Sequence, residues 1–150
     1  MNPPTKATDA LLTDHKMIRK VLSELRLDDP RFSKVLETSR RIILSHAWFE
    51  DVLFLPAIEK SPLLARQFTD EIYREHKDLE ALLSLVGTTP ASDGSARSGF
   101  LMQFKALMES HLNKEEHALF PMAERILDSE GLNKIGDQMR LRAAESRPKQ

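Results

Sequence analysis

Cysteine is absent from the sequence. That excludes disulfides, thiolate metal sites, iron–sulfur clusters and thiol catalysis, and it fits a reducing compartment. Glycine is scarce, with 5 in 150 residues, so few positions interrupt a regular chain. No charge of one sign dominates: 22 Lys plus Arg stand against 23 Asp plus Glu. General nucleic-acid binding needs a strong positive field, which this balance does not supply. The longest apolar run, Val52 to Ile58, is far short of the ~20 residues of a membrane span. The start, Met1-Asn2-Pro3-Pro4, lacks the basic-then-apolar layout of a secretion signal. These absences predict a cytoplasmic protein with neither a nucleic-acid nor a membrane partner.

What is present is a soluble globular composition, 41% apolar and 30% charged, in a chain long enough for one domain with its own core. We expect a single domain over 1–150, with its core at about 8–129 and a C-terminal helix and tail at 130–150. Apolar residues recur at helical spacing, as in Leu11, Leu12, His15, Ile18, Leu22 and Leu25. A first helix follows, capped by Thr8 or Thr13. Asp29-Pro30 caps a second helix from about Arg31, which Pro56 kinks or ends near Glu59. Ser61-Pro62 opens a third, from about Leu63 to Val86, stopped by Gly87. Gly87 to Gly99 reads as one long loop. A fourth helix covers about Phe100 to Leu127, and Leu132 to Ala144 forms a short fifth before a frayed tail, Ser146 to Gln150. No strand-like alternation competes. The fold class is all-α, an up-down-up-down four-helix bundle.

The chain is written twice. At an offset of 61, Asp14-His15-Lys16 aligns with Glu75-His76-Lys77, and Leu11, Ile18 and Leu22 align with Ile72, Leu79 and Leu83. At an offset of 65, Ser45-His46 aligns with Ser110-His111, and Glu50, Asp51, Pro56 and Glu59 align with Glu115, Glu116, Pro121 and Glu124. Each half is a helix pair carrying one lone His and one H-x-x-x-E. Residues four apart lie about 40° apart around a helix and share a face. His46 with Glu50, and His111 with Glu115, therefore point into the bundle together. His15 and His76 sit on apolar stripes and face inward too. Burying four imidazoles and two carboxylates is costly unless something pairs them. A metal does so, and nitrogen–oxygen donors without sulfur suit iron or manganese, with zinc the alternative.

The elements DHKMI, HAWFEDVLFLP, EHKDLEALL and HLNKEEHALFP resemble those of the hemerythrin-like (HHE cation-binding) domain family, over about Leu11 to Ile126. The resemblance implies two non-haem iron ions in a four-helix bundle, joined by an oxo or hydroxo bridge. It makes His15, His46, His76 and His111 terminal ligands and Glu50 and Glu115 bridging carboxylates. Oxygen-carrying hemerythrins have a fifth His one turn after the third; here that position is Glu80. Each metal then keeps an open position, unless Glu80 fills one instead of standing as an exposed charge. The departure argues against strict oxygen carriage. It favours binding or sensing of dioxygen, nitric oxide, peroxide or iron, with turnover of peroxide or nitric oxide, or stress-related iron handling and repair, as the alternative.

The remaining candidates lie around this set. Glu116 and Asp51 each stand five residues after their His; some members of the family the chain resembles place the bridging carboxylate there, so the resemblance makes Glu116 the reserve for Glu115. His117 lies roughly 240° around the helix from His111 and reads as surface. Tyr73, one turn before His76, either packs in the core or bonds near the site. Trp48, Phe49, Phe54, Phe104 and Phe120 read as core that keeps the pocket dry. Arg140, Arg142, Arg147 and Lys149 form a basic, solvated C-terminus.

Overall fold

A computed structural model of the protein describes residues 5–145. Among them there is no strand. Four helical rods form the bundle. They are α1 (Ala7–Glu24), α2 (Phe32–Phe49) running on into α3 (Leu55–Glu59), α4 (Arg66–Thr88), and α5 (Gly94–Lys114) running on into α6 (Phe120–Ile126). A last helix, α7 (Ser129–Glu145), lies against α1. The ring closes through contacts of α1 with α2, α2 with α4, α4 with α5, and α5 with α1. Residues 1–4 and the expected frayed tail at 146–150 lie outside the described residues.

The apolar residues form two layers. One contains Leu11, Phe54, Ile58, Ile72, Leu119 and Phe120, closed by Leu132, Ile135 and Met139 of α7. The other contains Ile18, Leu22, Ile43, Leu79, Phe104 and Leu112. Each buried side chain of this size contributes about 1.5–3 kcal/mol. The histidines and glutamates of the repeat fall between the two layers, so apolar packing on both sides positions a polar slab. Gly136 lets α7 come this close: a Cβ there would stand 1.9 Å from the Thr5 carbonyl oxygen.

Several boundaries differ from the sequence reading. Gly87 to Gly99 is not one long loop. The connection shrinks to residues 89–93, because Asp93 accepts from the Ala96 N–H at 3.2 Å and starts α5. Gly94 and Gly99 are then helical. Burial of Leu101 and Phe104 in the same helix outweighs the ~1 kcal/mol each glycine costs. Neither Thr8 nor Thr13 caps α1. Lys6 precedes that helix, and buried Thr8 donates instead to Glu124 Oε1 at 2.9 Å. Asp29 and Ser61 cap the turns before their helices, accepting from the N–H of Arg31 and of Leu63, so α2 and α4 start later than expected. Trp48 is not core: it is 37% exposed, with the Arg142 guanidinium 4.9 Å from its ring. Phe54, Phe104 and Phe120 are buried, and Phe49 is half-buried.

Pro56 does not interrupt its rod, which continues through it to Glu59. Between α2 and α3 the chain makes one wide π-turn, Glu50–Phe54, in which the Leu55 N–H bonds the Glu50 carbonyl. The second half repeats this at Glu115–Leu119, with the Phe120 N–H on the Glu115 carbonyl. Each wide turn restarts the α register, and each proline then falls in the first turn of the next helix, where its missing N–H has no partner to lose.

Candidate metal centre

Consecutive side chains point about 100° apart around a helical rod, so neighbouring acids meet different targets. Glu50 and Glu115 are fully buried between the apolar layers. Their neighbours Asp51 and Glu116 swing to the adjacent rods. Asp51 Oδ1 accepts from His76 Nδ1 at 2.6 Å, and Glu116 Oε2 accepts from His15 Nδ1 at 2.8 Å. The acid before each lone His reaches the other pair of rings. Asp14 accepts from His46 Nδ1 at 3.0 Å, and Glu75 accepts from His111 Nδ1 at 2.7 Å. All four imidazoles are thus held by a carboxylate on Nδ1, in an arrangement the internal repeat copies.

A carboxylate can only accept, so each Nδ1 carries the proton and each Nε2 is left to face the centre. There the Nε2 atoms meet the buried glutamates. His15 lies 3.0 Å from Glu115 and His76 3.0 Å from Glu50. His46 is 3.4 Å from Glu50, and His111 is 3.3 Å from Glu115. The rings pair edge-on, His15 with His46 at 4.9 Å and His76 with His111 at 4.8 Å. Phe120 walls the first pair, 5.2 Å from the His15 ring.

Two donor groups result. His15, His46, Glu50 and Glu115 form one, and Glu50, His76, His111 and Glu115 form the other. Within each, one donor atom per residue lies within 4.8 Å of all the others. The two groups share both glutamates. The six residues singled out in the sequence are therefore brought together in one buried slab.

The slab is short of positive charge and of partners. His46 Nε2, His111 Nε2, Glu50 Oε2 and Glu115 Oε2 are buried without a hydrogen-bond partner. Each such group costs about 1–3 kcal/mol, and four in one layer is unusual for a native fold. The titration behaviour shows the same strain. Burial, with Glu115 nearby, pushes the Glu50 carboxyl up, whereas His111, His15 and His46 overcome burial and hold Glu115 well below the usual range. Burial opposes charge on the His46, His76 and His111 rings, but the surrounding acids win. His46 is pushed well above its ordinary value, His76 to about 9 and His111 to about 10. Without a cation, this slab asks for extra protons on its imidazoles. A divalent ion supplies that charge and fills the four orphaned valences, and a nitrogen–oxygen set without sulfur matches iron or manganese.

The other sequence candidates take separate places. Glu116 belongs to neither donor group; besides His15 it accepts from Arg19 at 2.7 Å. Glu80 is exposed but lines a small cavity beside His46, His76 and His111. His117 is exposed. Tyr73 packs at the edge of the first apolar layer, and burial next to Glu59 pushes its hydroxyl up. Sequence reasoning did not assign Asp14 and Glu75 as partners of His46 and His111. The available signal was an acid immediately before each lone His, in register in both halves.

Fold and site together define a four-helix bundle protein whose buried His/Glu layer points to metal binding. The sequence pattern described as Hemerythrin HHE cation binding domain matches residues 6–123 and again 67–145. The chain belongs to that family. The second match begins 61 residues after the first, which is the offset of the internal repeat. Comparisons with curated proteins and with solved structures return no match.

Proposed function

We propose that this protein holds two non-haem iron ions and uses them to bind or sense a small ligand: dioxygen, nitric oxide or peroxide. The observation that carries the reading is the pair of donor groups sharing Glu50 and Glu115. In this reading His15 and His46 hold one ion, His76 and His111 hold the other, and the two glutamates bridge them. Asp14, Asp51, Glu75 and Glu116 fix the ring orientations and raise the basicity of each Nε2. An iron pair held by these residues would supply redox chemistry. The chain supplies a slab closed off by apolar layers, which keeps bulk water from the ions.

A cavity touching three of the four histidines has a volume of about 10 Å3, room for at most a single water-sized molecule. That size favours diatomic ligands and peroxide over an organic substrate, so any oxidoreductase activity is expected on those same small molecules. A cytoplasmic setting fits the cysteine-free sequence. The test is metal analysis with an optical spectrum of the aerobically purified protein. Two irons per chain, falling sharply when Glu50 and Glu115 are both replaced by Ala, support the proposal. Full loading in that double variant contradicts it.

A further inference from the structure

We propose that small ligands reach the His/Glu layer from one face only, between α2 and α4, and that Ala47 and Glu80 decide which ligands pass. This rests on the metal reading above and deepens it by assigning the route and its selectivity. The cavity of about 10 Å3 touches His46, His76 and His111, and its remaining wall is apolar apart from Glu80. Two of those rings, His46 and His111, are the ones whose Nε2 lacks a hydrogen-bond partner. Glu80 is exposed, so it marks where the cavity meets solvent.

The internal repeat provides a comparison within the same molecule. Its offsets put Glu109 in place of Leu44, Leu112 in place of Ala47, and Arg19 in place of Glu80. On that opposite face, between α1 and α5, the way is filled and tied. Leu112 is fully buried and occupies space that Ala47 leaves open. Arg19 reaches Glu116 at 2.7 Å, Asn113 at 3.3 Å and Glu109 at 3.4 Å, lacing the two rods together. Two halves that share their ligand pattern thus differ at these three positions, and on the opposite face buried Leu112 stands where the open face has Ala47.

The chemistry at the open face follows from its residues. A small side chain at Ala47 leaves the way less filled than Leu112 does on the opposite face. An acidic side chain at the mouth repels anions and leaves neutral molecules unaffected. The face therefore selects dioxygen or nitric oxide over anions such as azide.

The test uses stopped-flow binding of azide to the ferric protein and nitric oxide to the ferrous protein, with iron content measured in every variant. Ala47→Leu, which copies the closed face, is expected to slow both ligands at least about tenfold at unchanged iron content, and Ala47→Val to slow both less. Glu80→Gln is expected to speed azide about three- to tenfold while leaving nitric oxide within about twofold, with the azide gain shrinking as salt rises. Glu109→Ala, on the opposite face, changes neither rate. A second readout needs no iron: in the metal-free protein, dissolved dioxygen broadens the methyl NMR signals of Ala47 and Met108 more than those of Leu112. Unchanged rates in both Ala47 variants, faster binding in Glu109→Ala, or equal effects of Glu80→Gln on both ligands would overturn the proposal, as would equal broadening on the two faces. Failure to take up iron at all would instead refute the metal reading, and the NMR comparison would still decide the route.

Discussion

Removing the carboxylate behind one imidazole tests how the chain holds its metal. Glu75 is 12% exposed and accepts from His111 Nδ1 at 2.7 Å; Lys114 fixes it from the other side. Asp51 holds His76 in the same way at 2.6 Å but is 36% exposed. A hydrogen bond to a charged group is worth about 1.5–3 kcal/mol, with the low end for partners that water can replace. Asp51→Ala should therefore cost about 1.4 kcal/mol of metal affinity, or tenfold. Glu75→Ala should cost about 2–2.8 kcal/mol, or 30- to 100-fold. The rings they hold, His76 and His111, belong to the same donor group, so one ion should weaken and the other should stay. Anaerobic titration with ferrous iron against a competing chelator resolves the two affinities. Glu71→Ala serves as the control, since Glu71 is 50% exposed and contacts Lys114 rather than a ring. If Glu75→Ala loses no more affinity than Glu71→Ala, the carboxylates do not poise the imidazoles and this account of the site is wrong.

Three further outcomes follow from the same geometry. Gly136→Ala places a Cβ 1.9 Å from the Thr5 carbonyl oxygen; thermal unfolding should show a loss of about 1–3 kcal/mol as α7 is pushed off α1. Asp93→Ala removes the cap on α5 and should cost about 1 kcal/mol in urea unfolding, whereas no loss would mean the short connection forms without it. The third concerns pH: the folded metal-free protein raises His76 to about 9 and His111 to about 10. Groups raised in this way add stability that is complete below the ordinary imidazole pKa of ~6.5 and is lost as pH climbs through the folded values. Melting temperatures of the metal-free protein should therefore fall between pH 6.5 and 10. Over the lower part of that range metal should bind more tightly as pH rises, because protons compete for the same nitrogens. A metal-free protein that gains stability over this range would contradict the assignment of those rings.

The bundle was legible because its apolar spacing is helical and its glycines few, and the six central residues were legible because a duplication repeats them in register. The boundaries were less so. Gly94 and Gly99 read as loop on local propensity alone, but Leu101 and Phe104 need a helix to reach the core, and Asp93 starts it early. The wide turns at Glu50 and Glu115 left only an indirect trace, the proline six residues after each. Glu116 reads as a reserve for Glu115 on the family's spacing from His111, but consecutive side chains point about 100° apart, and Glu116 turns to His15 and Arg19 instead. Trp48 failed for another reason: a large aromatic beside Phe49 looks like core, yet it covers the outer face under Arg142. The roles of Asp14 and Glu75 depend on how the rods pack across the ring, which spacing within one helix does not report.

Iron analysis of the protein after anaerobic ferrous reconstitution, set beside its ultraviolet–visible spectrum in air, decides whether the six buried residues hold a pair of metal ions. Two irons per chain are expected, one for each donor group, with the near-ultraviolet charge-transfer bands of a bridged ferric pair. A colourless protein that stays empty after reconstitution would contradict it, and would mean that the duplication preserved a bundle and not a metal centre.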